Sequence, residues 1–313
     1  MLKKKCLNYS RNPKPFSPLF FLKKFISNEK LIPKILIAPV IIILFGVTIF
    51  PLIFAYYMSA HKMTIVNFWH PEFSGIGNYL EIIFGADFWY SLRFSILFMI
   101  IVTTIELFLG LFMAIYFDRP LKGKRFIISF ILIPLGIAPA LFGIMMKLML
   151  NEFVGIVPFI LRQLGITFHF FKDFASSLIT LIWVDVIQWT PFVFIVLYAA
   201  VQALPKEPME AAIVDGASKW QLFRYITLPM LKRTLIVILV FRIMDALKTF
   251  DTIYVMTGGG PGISTTTLSV YIFKLALIRG DFGLAAAATI LFLYLATIVI
   301  SFALKYMRRE KVI

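Results

Sequence analysis

The chain has 313 residues, 60% of them apolar and 34 of them Phe, with a mean hydropathy of +0.91. These values exclude a soluble globular domain and predict an all-α, polytopic membrane protein. The net charge of +15 does not read as a nucleic-acid face, because the 31 Lys and Arg concentrate in alternate segments between apolar runs; the lone Cys6 excludes an intrachain disulfide or a cysteine metal site.

Residues 1–34 form a basic tail, with Lys3, Lys4, Lys5 and Arg11 at its start and FSPLFFLKKF in its middle. That middle stretch suits a short interfacial helix on anionic lipid, and Pro13, Pro15 and Pro18 suit a disordered tail equally well. The tail is too long in charge, and the next apolar run too long, for a cleaved signal peptide. Residues 35–306 then hold six runs long enough to cross a bilayer: 35–58, 92–117, 126–150, 178–201, 231–256 and 283–306. An even number of crossings puts both ends on one side. Lys and Arg collect in the first tail, in DRPLKGKRF after the second run, in residues 204–233, and in a second basic tail at 307–313. By the positive-inside rule these segments are cytoplasmic.

The outward loop 59–91 carries Trp69, GIGNY and Phe88-Trp89-Tyr90, aromatics suited to an interface. Glu106 in the second run and Lys147 in the third are costly in hydrocarbon, and both are expected to point inward. The loop 151–177 offers no chemistry. In the fourth run, Asp185, Gln188 and Trp189 share a helical face, with Trp183 close by, and Pro191 can bend the span. These residues are candidates to line a path; polar packing between helices is the competing reading.

Residues 204–229, LPKEPMEAAIVDGASKWQLFRYITLP, form a polar island between two apolar runs and predict two short helices joined by a turn. Pro208 suits a first helical position, and Met209, Ala212 and Ile213 make one stripe. Asp215-Gly216 ends that helix, with Gly216 in the left-handed region, and Ser218 with Gln221 has capping-box spacing for the second. Trp220, Phe223 and Thr227 share a face, and Pro229 is expected to set a sharp angle before the fifth run.

That run carries Arg242, Asp245, Lys248 and Asp251, alternating in sign at steps of three. Counted from Lys232, Arg242 lies about 15 Å into the span, near the midplane. Such charges either line a path, together with Tyr254, or form an ion ladder against Glu106 or another subunit. The following Gly258-Gly259-Gly260 lacks the Gly-Lys-Ser/Thr ending of a phosphate cradle and follows an apolar helix, so a nucleotide would have to bind another chain. His61, His70 and His169 are scattered over loops without metal-ligand spacing.

The stretch EAAIVDGASKWQLFRYITLP resembles the EAA loop of permease subunits of binding-protein-dependent ABC importers. The pattern E-A-A, D-G-A, F and L-P falls on Glu210, Ala211, Ala212, Asp215, Gly216, Ala217, Phe223, Leu228 and Pro229. The family often has a second proline four residues after the first, and Arg233 stands there instead. Phe250-Asp251 followed by Thr257, Gly259, Gly260 and Pro261 resembles the carbohydrate branch of that family, which takes up maltose, lactose or glycerol phosphate. The resemblance implies a six-span permease fold without catalysis or a cofactor of its own, with those loop residues coupling it to an ATPase dimer that holds ATP and Mg. It also implies a second, similar permease and an extracytoplasmic substrate-binding protein as partners, and a prokaryotic cytoplasmic membrane as the location. An importer of glycerol phosphate or another polyol is the alternative that Arg242 and Lys248 favour. A lipid-linked sugar transferase would need a carboxylate cluster in a cytoplasmic loop, and a stand-alone carrier would need internal repeats. Neither feature is evident.

Overall fold

A computed structural model of the chain describes residues 32–309, without the side chains of 32, 33, 35 and 306–309. The basic tail up to residue 31, with Cys6 and the FSPLFFLKKF segment, and residues 310–313 lie outside the described residues. The chain divides into two compact units, residues 1–55 and 56–313. In the first, the described residues belong to helix α1 (Ile32–Ser59), which stays helical through Pro39 and Pro51. Phe50 and Phe54 stack there with ring centroids 6.4 Å apart.

The second unit begins in the last turn of α1. A short hairpin, β1 (His61–Lys62) with β2 (Glu72–Phe73), pairs His61 with Phe73 and Lys62 with Glu72. Helices α2 (Gly77–Phe84) and α3 (Ala86–Tyr116) follow, so α3 starts six residues before the expected run and takes Phe88-Trp89-Tyr90 out of the loop. Buried Asn78 ties this corner together by donating to Ser59 O at 2.9 Å and His61 O at 2.8 Å.

Six continuous crossings were expected. Among the described residues, four helices are long and apolar enough to cross a membrane: Leu36–Ser59 in α1, Ala86–Tyr116 (α3), Phe174–Gln202 (α7) and Phe282–Lys305 within α13 (Phe282–Arg309). The other two runs are broken. Residues 126–150 give α4 (Lys124–Ile131), a 3-10 turn at Ile133–Gly136 and α5 (Pro139–Met149). Proline supplies the break: Pro134 and Pro139 lack an N–H, and Ala138, immediately before Pro139, takes an extended conformation (φ −57°, ψ 136°). A further short helix, α6 (Ile156–Gln163), lies in the loop that follows.

Helix α7 begins on a capping box. Asp173 accepts from Ser176 N at 2.8 Å and Ser176 Oγ accepts from Asp173 N at 3.2 Å. Accepting that backbone N–H holds the Asp173 carboxyl below the usual carboxylate range. The helix then passes Pro191 without interruption, so the expected bend produces no break.

The residues 204–229 fold much as their caps dictate. Helix α8 (Glu207–Val214) has Pro208 at its second position, one later than expected. Gly216 closes it at φ +83°, and Ala217 N donates to Ala212 O at 2.9 Å. Ser218 caps α9 (Lys219–Leu222): Ser218 N donates to Gln221 Oε1 at 2.7 Å and Gln221 N to Ser218 Oγ at 3.3 Å. Before Pro229, where a sharp angle is expected, a π turn, Phe223–Thr227, runs without a gap into α10 (Leu228–Leu247). A π turn re-registers the ladder and so absorbs the donor that proline lacks.

The fifth expected run ends early at Leu247 and resumes as α11 (Asp251–Thr257). After the TGGGPG segment come α12 (Leu268–Phe273), a π turn at Lys274–Ile278, and α13. Helix α13 continues to Arg309, so residues 307–309 of the expected second basic tail are helical.

Helices α3 and α7 pack closely because Gly110 faces Val193. A Cβ at Gly110 would lie 2.6 Å from Val193 Cγ1 and 2.9 Å from its Cβ. Small residues at a crossing let two backbones approach in a membrane, where dispersion contacts and polar groups hold helices together. The approach lies one turn from Glu106 and two turns from Asp185.

Candidate functional site

Three helices deliver charge to one buried point. Arg242 on α10 donates from Nε to Glu106 Oε2 at 2.6 Å and from Nη2 to Glu106 Oε1 at 2.9 Å, a two-point pair across to α3. The same Nη2 lies 3.3 Å from Asp185 Oδ2 on α7, and Nη1 donates to Asp245 Oδ2 at 2.7 Å, one turn along α10. The Arg242 and Glu106 side chains are 0% exposed, Asp185 1% and Asp245 27%. The guanidinium also lies 4.8 Å from the Trp189 ring, which adds a cation–π contact.

Of the two readings left open by the sequence, Arg242 and Glu106 follow the ion-ladder one. Every guanidinium nitrogen is taken by a carboxylate. Glu106 points inward as expected. Lys147 is exposed and reaches Val255 O at 2.8 Å with its ammonium.

Beside this cluster is a cavity of about 270 Å³, lined by Trp189, Asp245, Lys248, Phe250 and Asp251 among others. Besides Trp189 on α7 and Asp245 on α10, its wall is drawn from around the two breaks in the chain. Pro139, the first residue of α5, stands on one side; Lys248, Thr249 and Phe250 in the gap between α10 and α11, with Asp251 and Thr252 at the start of α11, stand on the other. Non-helical backbone is tolerated at membrane depth where it lines a cavity or finds polar partners. Both conditions hold here. Thr267 Oγ1 donates to Thr249 O at 3.0 Å and Ser269 Oγ to Lys248 O at 3.1 Å, satisfying carbonyls that the end of α10 releases. Gln188 Nε2 lies 3.3 Å from Ile137 O, just before α5. Gly143 lets α5 meet α11, since a Cβ there would lie 3.3 Å from Thr252 Cα.

The TGGGPG segment after α11 is held by hydrogen bonds from the hydroxyls that follow it. Gly258 and Gly259 take φ +60° and +87°, and buried Thr265 and Thr266 donate to Gly260 O at 2.6 Å and Gly259 O at 3.0 Å.

The expected path residues therefore separate into three groups. Trp189 and Asp245 line the cavity; Asp185, Gln188 and Arg242 are buried behind it. Trp183 is 63% exposed and Tyr254 packs on Phe250 and Phe273, ring centroids 5.2 and 4.7 Å away, so neither is placed in the cavity wall. Sequence reasoning did not select Pro139, Thr249, Phe250 or Thr252 for the wall, nor the hydroxyls of Thr267 and Ser269. A proline pair in an apolar run, and a hydroxyl run after a glycine turn, were the available signals.

The loop residues Glu210, Ala211, Asp215 and Gly216 are exposed on the elbow, and Ala212, Ala217, Phe223 and Leu228 are half-buried under it. Pro229 is exposed at the start of α10. Large apolar side chains remain in solvent here, Val214 at 87% exposure and Ile213 and Trp220 beside it; Trp220 leans on Phe223 with centroids 5.5 Å apart.

Residues 106–311 match the family described as binding-protein-dependent transport system inner membrane component. The trehalose/maltose transport system permease protein MalF of Thermococcus litoralis is 35% identical over 278 residues, 88% of this chain and 92% of that protein. The sn-glycerol-3-phosphate transport system permease protein UgpA of Agrobacterium fabrum is 26% identical, with 90% of this chain and 96% of that protein covered. Among solved structures, a chain of a bacterial ABC transporter that imports the acidic polysaccharide alginate superposes with a TM-score of 0.78 at 22% identity, covering 92% of this chain and 99% of that one.

Proposed function

The chain belongs to the family of binding-protein-dependent transport system inner membrane components, and from that premise we propose that it is the membrane subunit of an ATP-driven saccharide importer. In this reading the two broken runs complete six crossings, both termini are cytoplasmic, and the membrane is the prokaryotic cytoplasmic one. The chain forms half of the translocation path, and a second, similar permease forms the other half. An extracytoplasmic binding protein delivers substrate, and an ATPase dimer holding ATP and Mg drives the cycle.

The observation that carries this reading is the elbow of α8 and α9. It is closed by Gly216 at φ +83° and by the Ser218–Gln221 box, and it exposes Glu210, Ala211, Ile213 and Val214. A rigid two-helix unit with exposed apolar side chains is suited to sit in a groove of another protein. Its continuity through the π turn into α10 means that a push on the elbow reaches Arg242 along one helix. Nucleotide-driven closure of the ATPase would thereby bias the spans between inward-open and outward-open states.

The path is assigned to the cavity at Trp189 and Asp245, with Asp185, Gln188 and Arg242 supporting its wall and Trp183 and Tyr254 outside it in this conformation. A saccharide follows from the relatives named for trehalose and maltose; a glycerol phosphate or polyol importer is the second reading, from the relative named for sn-glycerol-3-phosphate. Purification of the tagged subunit from its own membranes is the test. An ATP-hydrolysing chain and a second permease should co-purify; a subunit recovered alone, or with a nucleotide-sugar-dependent transferase activity, would overturn the proposal.

A further inference from the structure

Resting on the assignment of the Trp189–Asp245 cavity to the path, we infer that this cavity selects by charge, admitting neutral or amino-bearing saccharides and rejecting phosphorylated, sulfonated or carboxylated ones. Two membrane cations, Arg242 and Lys248, would be the natural seat for an anionic group. Arg242 is not free to serve. Its three guanidinium nitrogens are engaged by Glu106, Asp185 and Asp245, its side chain is wholly buried, and the Trp189 ring covers it. For a phosphate to reach it, a carboxylate would have to be displaced and left buried without a counter-charge.

Lys248 remains, exposed at the cavity wall, and it shares that wall with Asp245 and Asp251. Across the cluster and cavity together, Arg242 and Lys248 face Glu106, Asp185, Asp245 and Asp251. Carboxylates outnumber cations there, and protonation of one of them still leaves a negative surplus. The other wall residues, Trp189, Phe250, Thr249 and Thr252, offer ring faces and hydroxyls. Aromatic faces bind the apolar face of a sugar ring, hydroxyls donate to or accept from its alcohols, and carboxylates accept from them. The wall thus suits a hydroxylated, uncharged molecule and repels an anion.

The test reads the local potential without needing the substrate's identity. In the importer assembled with its partner permease and ATPase, Cys6 is replaced by Ser, Thr249→Cys is introduced, and its reaction with a cationic and an anionic methanethiosulfonate is timed in each nucleotide state. One surplus negative charge about 6 Å away in a water-like dielectric speeds the cationic reagent about threefold and slows the anionic one about threefold. After correction for their rates with a free thiol, the cationic reagent should therefore lead about tenfold, and Asp251→Lys should reverse the order. Equal rates, or a faster anionic reagent, would overturn the charge selection and leave the path assignment standing. A thiol that reacts with neither reagent in any nucleotide state would overturn the path assignment itself.

Discussion

Arg242 and Glu106, 136 positions apart in the chain, meet through two parallel hydrogen bonds at 2.6 and 2.9 Å with no solvent exposure on either side chain. The pair joins α10, which carries the elbow, to α3, which packs on α7 through Gly110.

Arg242→Ala leaves Glu106 and Asp185 as buried carboxylates without a counter-charge, a change that costs about 3–5 kcal/mol. Thermal unfolding of the purified assembly in detergent should show a large drop, or the subunit should fail to accumulate. Glu106→Gln keeps an acceptor for Arg242 and removes one surplus negative charge, so its loss should be clearly smaller. Equal losses would mean that charge balance does not hold the cluster together.

Gly110→Leu should weaken the subunit through the α3–α7 contact, since even a Cβ lies within 3 Å of Val193 atoms. Overpacking of this kind costs about 1–3 kcal/mol. The double change with Val193→Ala should recover part of the loss; no recovery would place the effect elsewhere.

Gly216→Val places a β-branched residue at φ +83°, a conformation that costs such a side chain about 1–3 kcal/mol. No neighbouring atom lies within 4 Å of a Cβ there, so the effect comes from the backbone alone. Membrane insertion should be normal and substrate uptake should fall with ATP hydrolysis uncoupled from it. Normal uptake with normal hydrolysis would show that the turn conformation is dispensable.

The Asp173 cap gives a pH dependence with a definite sign. Its carboxyl is held below the ordinary range by the Ser176 N–H, so its contribution is present above the ordinary carboxylate value and is lost as pH falls through the lowered one. Asp173→Ala should destabilise the start of α7 at neutral pH, read by amide exchange of residues 174–177, and the difference from the parent should vanish at strongly acidic pH. A difference that persists there would rule out the carboxylate as its source.

Local signals are legible in the sequence. Gly216, Ser218 and Gln221 act within a few residues, and each took the conformation or bond its chemistry favours. Glu106 and Arg242 stood out because charge is costly in hydrocarbon, and the structure places them together. What the sequence concealed was continuity. Hydropathy sums over residues 126–150 and 231–256 are blind to the extended Ala138 before Pro139 and to the stop at Leu247, because backbone breaks inside an apolar run change hydropathy little. The cavity wall was hidden for the same reason: Pro139, Thr249 and Thr252 become neighbours only when both breaks fall side by side. Residue type and proximity alone point to Trp183 and Tyr254, whereas Trp183 is exposed and Tyr254 packs on Phe273.

In the proposed importer the elbow of α8 and α9 transmits ATP hydrolysis to the spans, and the readout for this is binding-protein-stimulated ATPase activity of the reconstituted importer. Glu210→Ala and Ile213→Asp change exposed side chains that the fold does not use. A desolvated contact broken at an interface costs about 2–5 kcal/mol, against at most about 1 kcal/mol for an exposed ion pair. Both variants should leave the amount of inserted subunit unchanged, reduce ATPase retention and abolish the stimulated activity, most severely for Ile213→Asp. Full retention and full stimulation in both variants would contradict transmission through the elbow.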